Sequence, residues 1–284
     1  MKTENKESMI NYFTKSIRKS MMAKSLLPLI LMLAFSVDVS AYDFKVNGLC
    51  YNKCPDSDNV MVTCEIIWSS SSYISLKGDI IIPVQVSYKG KSFVVTMIDS
   101  LAFEGCTGLT SVTIPNSVTE IGEAAFESCT GLTSITIPNS VTEIGDFAFG
   151  GCTGLTSVKI PKSVTEIGAF AFAHCTGLTS ITIPNSVTMI DRNVFKGCTG
   201  LTSVTISESV EEIGGNAFKD CPRLTKIICK AKTPPSFETE TASLYVHPPF
   251  DDFYKPTVYV PAESIENYIN DDDWKEFVKI RAIE

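Results

Sequence analysis

The 284-residue sequence predicts a β-rich, right-handed solenoid of 23-residue repeats. Two observations predict this fold class: cysteines recur at a constant interval, and the residues around them recur with them. The cysteines at this interval are Cys106, Cys129, Cys152, Cys175, Cys198 and Cys221. The segment CTGLTSVTIP, residues 106–115, returns almost unchanged in the next three repeats. Because one repeat cannot bury its apolar face alone, such a chain stacks its repeats around a continuous core.

The first half of each repeat predicts a short β-strand. Leu109, Val112 and Ile114 match the leucine-rich-repeat spacing L-x-x-L-x-L. Val112 and Ile114 alternate with Ser111 and Thr113, so apolar side chains point inward and hydroxyl side chains outward. In most repeats a proline follows and ends the strand, because proline cannot donate to a β ladder.

The second half of each repeat returns along the opposite side of the solenoid. Its recurrent apolar residues are predicted to be core, and in two successive repeats they are Val118, Ile121, Ala125, Phe126, Val141, Ile144, Ala148 and Phe149. The recurrent glycines are Gly122, Gly145, Gly168 and Gly214, with Asp99 and Asp191 in their place in two repeats. We expect a turn with positive φ at this position, since glycine and aspartate tolerate that conformation.

The repeat unit identifies a specific subclass. The segment LTSVTIPNSVTEIGEAAFESC, residues 109–129, resembles the BspA-like leucine-rich repeats, also called the Treponema pallidum type. The resemblance extends from about Tyr42 to the end of the chain. It implies a leucine-rich-repeat solenoid, and a surface protein that attaches to host proteins or to other cells.

Residues 1–41 are predicted to be a signal peptide. Basic residues precede an apolar run at residues 26–35, and Val39-Ser40-Ala41 offers small side chains at a cleavage site after Ala41. A retained anchor is the alternative, but the run is shorter than the roughly 20 apolar residues that span a membrane. Met21 and Met22 remain alternative start residues. We therefore expect a secreted or cell-surface protein with no membrane insertion after cleavage.

Three further regions follow the signal peptide. Residues 42–78 are predicted to form an N-terminal β cap containing a hairpin around residues 55–58, the alternative being a disordered tail. Residues 79–235 hold the leucine-rich repeats. Residues 236–284 are predicted to form an α+β C-terminal cap, with a strand at residues 257–260 and helical structure at residues 263–274. Solenoids need such caps because their terminal repeats would otherwise expose core.

The cysteines belong to two groups. Those of the repeats are expected to be buried thiols that pack as small apolar groups, in preference to disulfides or metal ligands. Cys50 and Cys64 face each other across the predicted N-terminal hairpin, and an exported protein meets oxidising conditions. One disulfide between them and two packed thiols are equally compatible with the sequence.

Charge and motif content exclude several functions. The formal net charge is −8, and because residues 1–41 hold six Lys/Arg and three Asp/Glu, the remainder has 18 basic and 29 acidic residues, or −11. Such a surface repels phosphate, so no nucleic-acid partner is expected. With two histidines and no catalytic motif, we predict no enzymatic activity, no cofactor and no metal site. The stacked Glu120, Glu143 and Glu166 could bridge a cation, but solvated carboxylates are favoured.

The candidate ligand-binding residues are the outward positions of the repeat strands and two phenylalanines. They are Ser111, Thr113, Ser134, Thr136, Ser157, Lys159, Ser180, Thr182, Ser203, Thr205, Lys226, Phe147 and Phe170. The outward strip contains almost no aromatic or arginine anchors, and for Phe147 and Phe170 core packing is slightly favoured over a surface contact. We predict a monomeric protein that binds a host matrix or cell-surface protein. The alternative is a carbohydrate-binding component of an envelope nutrient-uptake system.

Overall fold

Two columns of short strands, one on each side of a shared core, make up most of the molecule. The computed structural model describes residues 42–54, 57–63, 66–67, 72–73, 76–237, 248–250, 255–277 and 279–284. The predicted signal peptide lies outside these residues. Within them, no helix has the length and apolar character needed to cross a membrane.

The N-terminal cap is an antiparallel meander, which confirms the predicted hairpin. Its strands are β1 (Phe44–Val46), β2 (Leu49–Lys53) and β3 (Asn59–Thr63), and a separate short pair consists of β4 (Ile66–Ile67) and β5 (Ser72–Tyr73). Cys50 pairs with Thr63 across β2 and β3. Because Cys64 lies outside the described residues, the Cys50–Cys64 disulfide stays a prediction.

The front strands form the first column, with one strand in each repeat. They are β6 (Gly78–Ile81), β9 (Leu109–Thr113), β11 (Ser134–Thr136), β13 (Ser157–Lys159), β15 (Ser180–Thr182), β17 (Ser203–Ile206), β19 (Lys226–Cys229), β21 (Thr257–Val260) and β22 (Ile280–Ala282). Neighbouring front strands pair in parallel, with residues 23 apart opposite each other in the central repeats. The last strand, β22, was not expected from the sequence.

The back strands form the second column, on the opposite side of the core. A hairpin of β7 (Gln85–Tyr88) and β8 (Lys91–Ile98) begins it, and β3 of the N-terminal cap pairs with β8. The two-residue strands that follow are β10 (Glu120–Ile121), β12 (Glu143–Ile144), β14 (Glu166–Ile167), β16 (Met189–Ile190), β18 (Glu212–Ile213) and β20 (Ser236–Phe237). The N-terminal cap therefore covers the open edge of this column.

The core consists of columns of identical side chains. The rings of Phe103, Phe126, Phe149, Phe172, Phe195, Phe218 and Phe250 stack with centroids 5.0 to 5.6 Å apart. Beside them, the cysteine thiols of five successive repeats, from Cys129 to Cys221, each donate to a phenylalanine carbonyl of the preceding repeat, as Cys152 Sγ does to Phe126 O at 3.1 Å. The predicted buried thiols are confirmed, and they are hydrogen-bond donors as well as packing groups.

The expectation of positive φ at the recurrent glycines is wrong. Positive φ occurs instead at two other columns, one at residues 101, 124, 147, 170, 193 and 216 and the other at residues 105, 128, 151, 174, 197 and 220. The recurrent glycines are required by close approach between repeats. A Cβ at Gly145 would lie 2.8 Å from Glu123 N and 2.9 Å from Gly122 C, both backbone atoms of the preceding repeat.

The back strand column is interrupted at one repeat boundary. Among the described residues, β14 and β16 do not pair; at the front, regular β-pairing stops between β13 and β15, but Thr179 N still donates to Thr156 O at 3.4 Å. Asp191 takes the glycine position here, and its carboxylate accepts a hydrogen bond from the adjacent Arg192 amide at 2.6 Å. In the neighbouring repeats this position has no room for a Cβ, so Asp191 brings a Cβ to the place where successive repeats approach most closely.

The C-terminal cap closes the last repeat with aromatic side chains. It contains a short 3-10 turn (Ala262–Ser264) and helix α1 (Ile265–Asn270), which with β21 and β22 form the α+β cap predicted from the sequence. Trp274 is fully buried, and its indole donates to Pro235 O at 2.7 Å. Phe250, in contact with Trp274, adds one more ring to the core stack beyond Phe218.

Candidate functional site

The front face, defined as the outward side of the front strands, displays the predicted row of polar residues. All eleven strand positions are solvent-accessible, with Ser111, Ser203 and Thr205 partly covered and the other eight exposed. Apart from Ser111, their hydroxyls make no hydrogen bond to any other residue in the described part of the chain. The face therefore has donors and acceptors available for a ligand.

An anionic residue lies at the N-terminal end of the front face. Asp79, on β6, accepts hydrogen bonds from Thr110 Oγ1 at 2.7 Å and Ser111 Oγ at 2.6 Å. These bonds, the one from Ser111 first, hold the pKa of the Asp79 carboxyl below its usual range. Its neighbour Ile81 is 73% exposed. This end of the face is thus acidic, with one large apolar side chain in solvent.

The C-terminal end of the front face is positively charged. It carries the aromatic and arginine side chains that were missing from the outward strip predicted from the sequence. Ile228, Tyr259 and Arg281 are adjacent in β19, β21 and β22. Lys226 Nζ lies 4.9 Å from the centroid of the Tyr259 ring. Tyr259 could have been placed outward from its alternation with two buried valines. Arg281 could not, because its strand was not predicted.

Phe147 and Phe170 form a stacked pair away from the front face. Their ring centroids are 4.6 Å apart with planes 4° from parallel, and both side chains are half-buried. They have φ of 56° and 59°, in a column that holds asparagine at two other repeats. Left-handed backbone costs a residue with a Cβ roughly 1–2 kcal/mol. The pair is therefore neither an exposed contact point nor part of the core: it lies at the surface with each ring half-buried.

Comparison with known proteins identifies the repeats. The family model for the BspA-type leucine-rich repeat region matches residues 96–225 in six copies. The T. pallidum leucine-rich repeat protein is 30% identical, with 65% of this chain and 80% of that chain covered, at a TM-score of 0.57. The chain belongs to the BspA-type leucine-rich repeat family. The T. pallidum relative of this BspA-type protein is likewise described as a leucine-rich repeat protein.

Two further structures resemble the BspA-type chain less closely. A leucine-rich repeat protein from Bacteroides ovatus is 24% identical, covers 85% of this chain and 67% of its own, and has a TM-score of 0.51. A leucine rich cell surface protein from Faecalibacterium prausnitzii is 18% identical over 88% of this chain and 96% of its own, with a TM-score of 0.30. Comparison with curated proteins gave no match. The first of these two structures supports the fold alone.

Carboxylates line a groove on the back strands of the BspA-type protein. Glu120, Glu143 and Glu166 are in register on β10, β12 and β14, as expected from the repeat. Burial, followed by repulsion from Glu143 and from Asp99, raises the pKa of the Glu120 carboxyl. No group of three or more metal-ligating side chains in the described residues is arranged to hold an ion. The groove thus concentrates negative charge on the side opposite the front face.

The repeat cysteines are poor nucleophiles in this fold. Burial raises the pKa of the Cys152 thiol to about 12 and that of Cys175 well above its ordinary value. The reactive form of cysteine is the thiolate, which such burial suppresses at neutral pH. His174, the one histidine among the described residues, is exposed and has φ of 58° in a turn. The geometry supports contact with a ligand better than acid–base or nucleophilic chemistry.

Proposed function

We propose that the chain is a non-catalytic, monomeric protein of the cell surface or the secreted fraction that binds another protein through its front face. The observation that carries this proposal is the row of exposed serine, threonine and lysine side chains along the front strands, whose polar groups are almost all unengaged by other described residues. Caps at both ends close the core and leave this long face accessible along its length. An extended solenoid face is suited to broad protein contact.

The test is binding of the full chain to immobilised matrix proteins, to other host receptors and to a glycan array. We expect the chain to bind at least one of the proteins saturably, and we do not expect it to bind glycans alone. Hydrolysis of any of these probes would contradict the assignment as a non-catalytic protein. N-terminal sequencing of the exported protein tests localisation separately: Tyr42 is expected as the first residue, and a retained Met1, Met21 or Met22 would contradict cleavage after Ala41.

A carbohydrate-binding role in nutrient uptake is the second candidate, and the aromatic side chains at the surface favour it. Sugar rings stack on exposed aromatic faces, and Tyr259 lies on the front face. However, Lys226 covers part of the Tyr259 ring, and Phe147 and Phe170 each turn one face to the other. Since little aromatic surface is left free, protein binding is the better-supported function. Binding restricted to the glycan array would reverse this choice.

A further inference from the structure

The C-terminal end of the front face combines two cations with two apolar side chains. We call Lys226, Ile228, Tyr259 and Arg281 the basic–aromatic patch. Register places Tyr259 between Ile228 on one neighbouring strand and Arg281 on the other. Residues on either side of Tyr259, Val258 and Val260, are fully buried, so the tyrosine ring is on the outward side of the strand.

The two cations of the patch are not neutralised by the protein itself. Lys226 and Arg281 are exposed, and within the described residues neither takes part in an ion pair. Other lysines at this end of the solenoid do form ion pairs: Lys232 Nζ lies 3.2 Å from Glu263 Oε1, and Lys255 Nζ lies 3.4 Å from Glu276 Oε2. In a protein whose remaining surface is acidic, an unpaired cationic patch is an isolated region of positive potential.

From this arrangement we infer that the basic–aromatic patch is the main contact point for the protein partner, and that it binds an acidic segment carrying an apolar side chain. Arginine binds carboxylates through two parallel hydrogen bonds. Tyrosine and arginine are the residue types that most often dominate interface energetics. Ile228 and the Tyr259 ring, between the two charges, offer an apolar contact for one side chain of the partner. This inference rests on the proposed function and assigns its contact residues.

A sulfated glycan fits the patch less well than an acidic peptide. Dense polyanions are bound by stripes of many basic side chains, whereas this patch has two cations separated by an apolar pair. The carboxylates of the rest of the chain would also repel a polymer charged along its whole length. A peptide with a few carboxylates and an apolar residue matches both the charge and the apolar area.

The test uses synthetic 12-residue peptides and the full chain. One peptide set has a central leucine or phenylalanine flanked by two glutamates on each side; matched sets replace every glutamate by glutamine, or the central residue by serine. Heparin is the glycan probe. Fluorescence anisotropy is measured for the unaltered chain, Lys226→Gln/Arg281→Gln, Tyr259→Ser and the control Lys162→Gln. Lys162 is also exposed, but it follows the end of β13 and lies outside the front face.

We expect the acidic apolar peptides to bind at least tenfold more tightly than either matched set. Binding should weaken at least tenfold in Lys226→Gln/Arg281→Gln and in Tyr259→Ser, and less than twofold in Lys162→Gln. Circular dichroism and thermal unfolding confirm that each variant is folded, and a variant that unfolds is replaced by Arg281→Gln alone. Equal binding of acidic and glutamine peptides, or patch-dependent binding of heparin alone, would overturn the inference.

Failure of the inference and failure of the proposed function give different results. If the patch variants keep full binding to a matrix or receptor protein that the unaltered chain binds, the proposed function stands and the patch is not its contact point. If the unaltered chain binds no protein on the panel, the proposed function fails regardless of the peptide result.

Discussion

At the residue level, Gly145 lies where one repeat passes closest to the backbone of the repeat before it. The absent side chain matters here because a Cβ would lie within 2.9 Å of two backbone atoms that cannot rotate away. Gly154 is in a similar position, because a Cβ added there would lie 2.6 Å from Thr130 O. Close approach at these glycines thus sets the regular spacing between repeats, whereas larger residues are accepted at the positions with positive φ.

Substitution of Gly145 tests this distinction. We expect Gly145→Ala to lower the free energy of unfolding by about 2–3 kcal/mol, because the added methyl group must push two repeats apart. Gly105→Ala is the matched control: its φ is 68°, but no atom lies within 4 Å of the added Cβ, and its column holds serine, histidine and aspartate elsewhere. It should cost about 1 kcal/mol. Urea unfolding measures both losses, and equal losses would mean that crowding at Gly145 costs no more than positive φ does at Gly105.

The buried thiols predict a loss of stability at alkaline pH. An unfolded thiol titrates near its ordinary pKa of 9.0, and burial raises the pKa of Cys152 to about 12. The folded state then holds the proton more tightly, so the stabilisation is complete below about pH 8.5 and is lost as the pH rises towards about 12. For each such thiol, the free energy of unfolding should fall by up to about 1.4 kcal/mol per pH unit in that range.

The Cys152→Ala variant separates this thiol from the other groups that titrate at high pH. It loses the hydrogen bond to Phe126 O and leaves a small cavity, so we expect it to be about 1–3 kcal/mol less stable near pH 7. Because alanine does not titrate, the gap between the two proteins should narrow above about pH 9. Denaturant unfolding at a series of pH values measures the gap, and a constant gap would contradict the assigned protonation.

At the level of elements, most of the regular repeat was predictable from the sequence, whereas the interruption of the back strands and the strand β22 were not. The apolar positions and the outward hydroxyl rows follow from periodicity, because each must be buried or exposed in every repeat alike. The caps follow from the need to cover the terminal repeats. The interruption between β14 and β16 coincides with one departure from the repeat, Asp191, and the effect of that residue depends on the distance to the preceding repeat, which the sequence does not give. Likewise, Arg281 lies on the front face because it belongs to β22. This strand was not predicted, since three residues show too little alternation of apolar and polar side chains to be recognised as a strand.

Replacement of Asp191 tests the origin of the interruption. Asp191→Gly should let β16 pair with β14, and we expect a gain of about 1 kcal/mol after the flexibility cost of glycine. Asp191→Ala is the matched control, because it keeps the Cβ and should leave the strands apart. Hydrogen exchange at the amides of Thr188 and Asp191, together with urea unfolding, distinguishes the two variants. Equal protection in both would show that the Cβ is not the cause.

For the whole molecule, the interruption divides the solenoid into two blocks that share one core stack. The first block extends from β6 to β14 and the second from β15 to β22. In repeat proteins, stability is the sum of terms within each repeat and between neighbours, so a weak boundary limits how far a disturbance spreads. The basic–aromatic patch belongs to the second block and Asp79 to the first, so the opposite charges of the front face lie in different blocks.

The Trp274→Ala variant tests this division. Trp274 is fully buried against Phe237, Phe250 and Tyr268, so truncation should cost about 3–5 kcal/mol and open the C-terminal end of the core. We expect the loss of protection to spread from β20 back to β16 and to stop at the boundary with β14, where neighbouring strands are unpaired. Hydrogen exchange followed by mass spectrometry measures protection repeat by repeat. Since Trp274 has no contact with the first block in the described residues, a uniform loss from β6 to β22 would show that the core stack couples the blocks despite the interrupted strands.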